Sequence, residues 1–540
     1  MSNEKLAMKK YILLFIIFSL FPIPCSLLFA ESEFSLRLGT ALKAPVAASQ
    51  LSPGMGANAT LDWSFWNFVP NFDLGANIGG AFASIPVQVG GPLTLFEGKA
   101  GPFVRWRPFD RWAFMAGFNG GVYQHSRGED SDTRGLFGGA LGALFHLSPY
   151  FSLFAEGGFT YRTFADKPLN TVDVALGIRL NLSEIMSRRT RVQVEKTEQY
   201  RVFPVSWAWY ENNPIAAVTI TNEEPNTITD VNLTFFIESY MSEPWTFANV
   251  PLLSSGESIE VPVTALFNEA LLNLNETVSA NGTIQMQYRS LGARKETVSA
   301  VQMPIFRRNI LSWDDDRRAA AFVSPRDSSA RLFARYVAAA IEAAPQQSSV
   351  PPNVRYAIAL FEALRLYRIS YIIDPSSSYI ALSDDESSTD SLNYPYQTLY
   401  YRGGDCDDLS ILFCSLLETL NIESAFITIP GHIYIAFDIG NTTWQPNNRN
   451  IIELESSDAR RRRWLPLEIT VPAEGFTRAW TIGASQWQNN KTDVTLYPIR
   501  ECWEIYPSVT VPGSGDNPPE IPEWDAIIQA LNSELQKINR

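Results

Sequence analysis

The 540-residue chain is too long for one ordinary domain, and three or four are expected. A formal net charge of −14 argues against nucleic acid as a partner, because no excess of cations is available to displace counterions from phosphate. With three histidines and scattered thiols the chain offers no metal-ligand set, and no cofactor is expected.

The start of the chain sets the compartment. Lys9 and Lys10 precede the apolar run Tyr11–Leu28, and Phe29-Ala30 gives way to Glu31-Ser32-Glu33. A basic flank, an apolar centre and a small residue before a polar shift predict a secretory signal over 1–30. Its removal leaves Cys406, Cys414 and Cys502, an odd number, so at least one thiol stays unpaired within the chain. A Cys414–Cys502 bridge is allowed by arithmetic only.

Residues 33–185 carry a series of alternating segments. Phe151, Leu153, Ala155, Gly157, Phe159 and Tyr161 share one face, and Ser152, Glu156, Thr160 and Arg162 share the other. Eight strands are predicted, near 34–42, 56–66, 72–85, 94–108, 112–125, 136–147, 151–164 and 171–182. The polar faces hold one or two charges each, with Gly or Ala between. Arg37, Asp62, Glu97, Lys99, Arg105, Glu156, Arg162, Asp173 and Arg179 could pair inside a narrow lumen. Connections over 43–55, 86–93, 126–135 and 165–170 are longer than those over 67–71, 109–111 and 148–150. Long outer loops and short periplasmic turns are the habit of an outer-membrane β-barrel, with outer-membrane lipid against its apolar face. An even strand count puts both barrel ends on one side, so everything after Leu182 should hang into the periplasm. Eight strands leave little open lumen, which favours an anchor over a pore.

From 195 to 308 short strands separated by turn residues suggest an immunoglobulin-like β-sandwich: Ala216–Asn222, Val231–Ile237 and Ser258–Val263. The composition shifts at Trp313-Asp314-Asp315-Asp316-Arg317-Arg318. Residues 327–344 and 352–367 then have helical periodicity, and Ser383–Ser391 reads as a solvated acidic loop. A third domain is placed over 313–507. Over 508–540 come a Pro/Gly-rich linker and an amphipathic helix, with Trp524, Ile527, Ile528, Leu531, Leu535 and Ile538 on one face, expected to dock on its own chain.

Within the third domain the stretch Gly403-Gly404-Asp405-Cys406-Asp407-Asp408 precedes Leu409, Leu412, Phe413, Leu416 and Leu420, which recur at helical spacing. A thiol in the first turn of a helix is expected to favour thiolate, through the macrodipole and free backbone N–H groups. Three neighbouring carboxylates oppose that ionisation. His125 and His146 lie in the predicted barrel, so only His432 can serve Cys406 as a base. Asp438 is too far along its strand to orient the ring. Glu468, in Trp464-Leu465-Pro466-Leu467-Glu468, is expected on a neighbouring strand and can sit alongside. Arg460–Arg463 reads as a solvated turn.

Pro395-Tyr396-Gln397-Thr398-Leu399, then Gly403–Ser410, the Leu-rich helix, Asn421-Ile422 and Gly431-His432 resemble the core of the transglutaminase-like superfamily over about 315–505. The resemblance implies an α+β, papain-like domain in which Cys406 is the nucleophile, His432 the base and Glu468 the carboxylate. Glu468 departs from the Asp more usual there. Gln397, with the Cys406 backbone N–H, could stabilise an oxyanion. The expected whole is a multidomain chain of eight-stranded membrane β-barrel, immunoglobulin-like sandwich and transglutaminase-like domain. It would act as an anchored periplasmic cysteine-dependent amide hydrolase or acyl transferase on peptide, protein or peptidoglycan stem-peptide substrates. The alternative is a non-catalytic envelope scaffold or adhesion protein.

Overall fold

The computed structural model describes residues 32–46, 48–69, 71–127, 130–163, 169–186, 191–343, 348–373, 389–446, 451–455 and 461–539. The expected secretory signal and most of the acidic segment 383–391 lie outside the described residues.

Period-two patterning builds eight antiparallel strands: β1 (Glu33–Val46), β2 (Gly54–Val69), β3 (Phe72–Ile85), β4 (Leu93–Phe109), β5 (Trp112–Arg127), β6 (Asp130–His146), β7 (Phe151–Arg162) and β8 (Leu169–Asn181). They close into a barrel, β1 pairing with both β2 and β8, so no strand edge is left free. The apolar set points outward: Leu61, Leu153, Phe159, Val172, Val174 and Leu176 are 38–57% exposed. Around the rim that holds the short turns, Phe34 stacks on Trp63, Phe72 on Trp106, and Trp112 meets Phe145.

The polar set fills the lumen as ion pairs. Arg37 holds Asp62 at 2.8 Å and Glu156 at 2.5 Å. Lys43 reaches Glu97 and Asp173, and Arg162 meets Glu97 at 2.5 Å. Arg105 binds Glu33 and Asp73, with Arg179 also on Glu33. Towards the opposite rim Ile85, Leu93, Leu95, Tyr123, Leu136 and Leu169 form an apolar plug. One expectation is corrected. The connection over 126–135 is mostly hairpin, because β5 and β6 stay paired out to Arg127 and Asp130. Side-chain alternation fades there, but backbone N–H and C=O groups still gain from pairing.

After a short helix α1 (Leu182–Met186) the chain makes two facing sheets. One has the order β13 (Ser258–Val263), β10 (Ala216–Asn222), β9 (Val192–Gln199); the other β12 (Trp245–Leu253), β11 (Ile228–Phe236), β14 (Val278–Ser290), β15 (Ala293–Ile305). Val218, Ile220, Leu233, Phe235, Ile284 and Met286 make their common core.

The last part surrounds a five-stranded sheet. In chain order its elements are β16 (Ile310–Ser312), α2 (Ser328–Ala343), α3 (Pro352–Leu366), β17 (Ser370–Tyr371), β18 (Thr389–Ser391), α4 (Pro395–Tyr401), β19 (Gly403–Gly404) and α5 (Cys406–Thr419). Then follow β20 (Ser424–Ile429), β21 (His432–Asp438), β22 (Ile452–Glu455), β23 (Arg461–Leu467), α6 (Phe476–Asn489), β24 (Thr495–Pro498), α7 (Ile499–Cys502) and α8 (Trp524–Asn539). The sheet order is β22-β23-β21-β20-β24, with α5 packed on β20 and β21. Arg461–Arg463 lie in β23 rather than in a turn, with Arg462 on Glu423 and Arg463 on Glu453. Ile527, Leu531, Leu535 and Ile538 bury α8 against α3 and α2, while Ile528 is half-buried and Trp524, at the helix start, stays exposed.

Removing the Arg162 guanidinium would leave Glu97 and Asp173 short of a buried counter-charge. Arg162→Ala should therefore destabilise the barrel by about 3–5 kcal/mol, read as a lower urea midpoint on refolding into micelles. An unchanged midpoint would mean that the lumen pairs are dispensable.

Candidate active site

The first turn of α5 is built by close approach. β17 and β19 pair in parallel, and Ile372 N–H donates to Gly404 O. At Gly404 a Cβ would fall 2.5 Å from that of Asp408, so the residue must be glycine for Asp408 to turn inward. Asp408 then accepts from Asn393 N and Nδ2, both at 2.6 Å, pulling the loop before α4 onto the helix end. Asp405 caps the helix by accepting from Asp408 N–H.

Cys406 is 3% exposed. Burial and the Asp405 carboxylate push its thiol up to about 12, against the Ile433 and Asp407 backbone N–H groups that favour the thiolate. The expected standing thiolate is thus corrected: desolvation and adjacent negative charge outweigh the helix end. The Ile433 contact puts the sulfur against the peptide that follows His432.

His432 opens β21 after Gly431. Its Nε2 lies 2.7 Å from Glu468 Oε2, and the Glu468 Oε1 accepts from Thr470 N (3.0 Å) and Thr470 Oγ1 (2.6 Å). Burial raises the Glu468 pKa, but the bonds from His432 and Thr470 and the electrostatic attraction of the ring prevail, so the carboxyl sits below its ordinary range. An ionised Glu468 only accepts, which places a proton on Nε2, and in the neutral imidazole Nδ1 then keeps its lone pair. Tyr434 stacks on the ring, centroids 5.9 Å apart at 15°.

Gln397 is held elsewhere. Its Oε1 accepts from Tyr394 N (2.9 Å) and Asn309 Nδ2 (2.8 Å), closing the first turn of α4. The sequence reading missed Tyr371, whose phenol is pushed up to about 12 by burial and by the acidic groups around it, Cys406, Asp405, Glu468 and Asp407. Its neighbourhood depends on the β17–β19 pairing, which no spacing announces. Thr470 and Tyr434 were within reach, since each lies two residues from a named site residue. Among the described residues Cys406, Cys414 and Cys502 are all free and buried, so the bridge allowed by arithmetic is absent.

Ligand atoms of Asp405, Asp407 and Asp408 lie within 4.8 Å of one another, close enough to share a cation or a proton. Burial and the Asp405 charge raise Asp408 to about 7; burial, a hydrogen bond to Asp405 and its charge hold Asp407 well above the carboxylate range.

No protein-family model and no curated protein matches the chain. Among solved structures the chain is similar to Neisserial surface protein A (TM-score 0.22, 10% identity, 28% of this chain and 98% of that one). It is also similar to Ail, the attachment invasion locus protein of Yersinia pestis (TM-score 0.19, 16% identity, 28% and 97%). A major outer membrane protein from Thermus thermophilus gives TM-score 0.20 at 14% identity, over 28% of this chain and 100% of that one.

The aspartate cluster carries a pH signature. Carboxyls whose folded pKa is raised bind more protons folded than unfolded, so they favour folding below the unfolded pKa and lose that effect as pH rises. Stability of this part of the chain should fall as pH climbs from the ordinary Asp value of 3.8 through the Asp408 value of about 7. Asp407→Asn should flatten the fall in a thermal-melt series. A melting temperature that rises over this window in the wild type would contradict the cluster's protonation.

Proposed function

We propose that this chain is an outer-membrane-anchored, periplasmic cysteine-dependent amide hydrolase or acyl transferase. In this reading residues 33–185 form the anchor. An immunoglobulin-like sandwich over 195–308, a transglutaminase-like domain over 313–507 and the tail over 508–540 lie in the periplasm. The observation that carries the enzyme reading is the Glu468–His432 bond beside a sulfur that contacts the next peptide. The anchor reading is supported by the apolar outer face, the aromatic rim and the paired lumen charges.

The chemistry follows from the tautomer. His432 Nδ1 takes the Cys406 proton as Sγ bonds to the substrate carbonyl carbon, and the carbonyl electron pair moves to oxygen. Collapse of that intermediate expels an amine, which takes the proton back from the imidazolium, and a thioester remains. Water or an amine, deprotonated by His432, then attacks the thioester and Cys406 leaves as the thiol. Because the resting thiol is neutral, proton transfer accompanies attack instead of preceding it. With Gln397 Oε1 engaged in its helix cap, the Cys406 N–H and the neutral Tyr371 hydroxyl are the better donors for the oxyanion. Peptides, periplasmic proteins and peptidoglycan stem peptides fit the topology as substrates.

A second reading, a non-catalytic envelope scaffold or adhesion protein, draws on the burial and raised pKa of Cys406. A bulky amide-mimetic thiol electrophile separates the two in cells. Labelling should require permeabilisation of the outer membrane and vanish in Cys406→Ala, although Cys414 and Cys502 remain. His432→Ala should slow it by about 10²–10⁴-fold. Labelling that survives Cys406→Ala, or a wild type inert after permeabilisation, would leave the scaffold reading.

A further inference from the structure

We infer that the C-terminal helix α8 acts through α6 to position the Glu468 carboxylate, with Glu534 as the positioning residue. The consequence for rate rests on the catalytic reading; the geometry does not.

Helix α6 starts in an unusual way. Gly475, before its first residue, has φ 85° and ψ 159°, a region that residues with a Cβ avoid. It has no side chain with which to cap the helix. Two carboxylates from distant segments do so instead. Phe476 N–H donates to Glu362 Oε1 from α3 at 3.1 Å, and Thr477 N–H donates to Glu534 Oε2 from α8 at 2.8 Å. Glu534 is 3% exposed, and Lys537 Nζ holds its other oxygen at 2.5 Å. A Cβ on Gly475 would meet that oxygen at 3.0 Å, so the glycine also makes room for the contact.

The other side of α6 lies on β23 and on Glu468, the residue that follows it. Ala479 O, two residues beyond Thr477, accepts from Glu468 N–H at 3.1 Å. One turn further, Gly483 sits flat on the Leu467–Glu468 backbone, where a Cβ would come within 2.9 Å of Leu467 N and 3.0 Å of Glu468 N. A packed helix moves as a rigid piece, so the place of its first turn sets the place of Ala479 and Gly483. The path runs from Glu534 to Thr477, along α6 to Glu468, and from Glu468 Oε2 to His432 Nε2. Outer partners of this sort orient a ring and fix its tautomer. Glu534 touches neither sulfur nor imidazole.

The test uses the full-length chain in detergent micelles with ¹⁵N-labelled histidine. His125 and His146 supply the other two ring signals, and His432→Gln identifies the third. The wild type should show a downfield His432 Nε2–H, bonded to the carboxylate. Glu534→Ala should lose it and slow iodoacetamide alkylation of Cys406 by up to about 10²-fold. Glu534→Gln, whose amide oxygen still accepts from Thr477, should restore both. A purely structural role for α8 would lower the melting temperature and leave the Nε2–H signal in place, which overturns the inference. If Glu534→Ala does not fold, Gly483→Ala decides, since it displaces the Glu468 backbone with α8 intact; an unshifted signal there overturns it equally. A wild-type Cys406 inert to amide mimetics, with the Nε2–H responding as described, refutes the enzyme and upholds the positioning.

Discussion

Glu468 keeps a negative charge at 1% exposure, and the site is arranged around that constraint. Three donors meet the carboxylate: His432 Nε2, Thr470 N–H and Thr470 Oγ1. Buried carboxyls normally take up a proton instead. The contrast stands a short way off, at Asp407 and Asp408, equally buried and both raised. Asp408 has donors too, from Asn393, yet it faces the charge of Asp405. Donor count alone therefore does not decide; a like charge set beside the carboxyl does. Cys406 feels burial and the charges of both Asp405 and Glu468, and shares the fate of the aspartates.

The same rule governs the barrel with the opposite layout. There the cations and carboxylates alternate, so Arg37, Lys43, Arg105 and Arg162 each meet at least one carboxylate. Buried pairs of this kind add little net stability over apolar packing, but losing one partner is costly. Together with the plug of Ile85, Leu93, Leu95 and Tyr123 they occupy the bore.

Much of this was legible because it depends on period. Leu153 and Phe159 against Thr160 and Arg162 announced a two-faced strand, and charge on the inner face announced part of the lumen set, but not Glu33, Asp73 or Lys43, the last read as part of a connection. The helix after Cys406 and the docking of α8 were readable from apolar spacing for the same reason. What stayed hidden depends on contacts between distant segments. The pairing that brings Tyr371 beside Gly404, the Gln397 cap shared with Asn309, and the Glu534 bond to Thr477 span tens of residues and leave no local pattern. The state of the Cys406 thiol was misjudged for a related reason. A helix end is visible in sequence, whereas depth of burial is set by everything packed over it.

One contact between the two-sheet unit and the helical unit reaches beyond the site. Phe203, Val205 and Leu272 share a single core with Phe322, Phe361 and Leu412. Arg318 lies over Trp209 at 5.3 Å and Tyr506 at 5.7 Å, bridging the seam. A seam packed like an interior couples the two halves thermodynamically, so a calorimeter should record one endotherm for both. Cutting the chain near Ser312 would yield no minimal fragment, because the helical half would expose part of its own core to water.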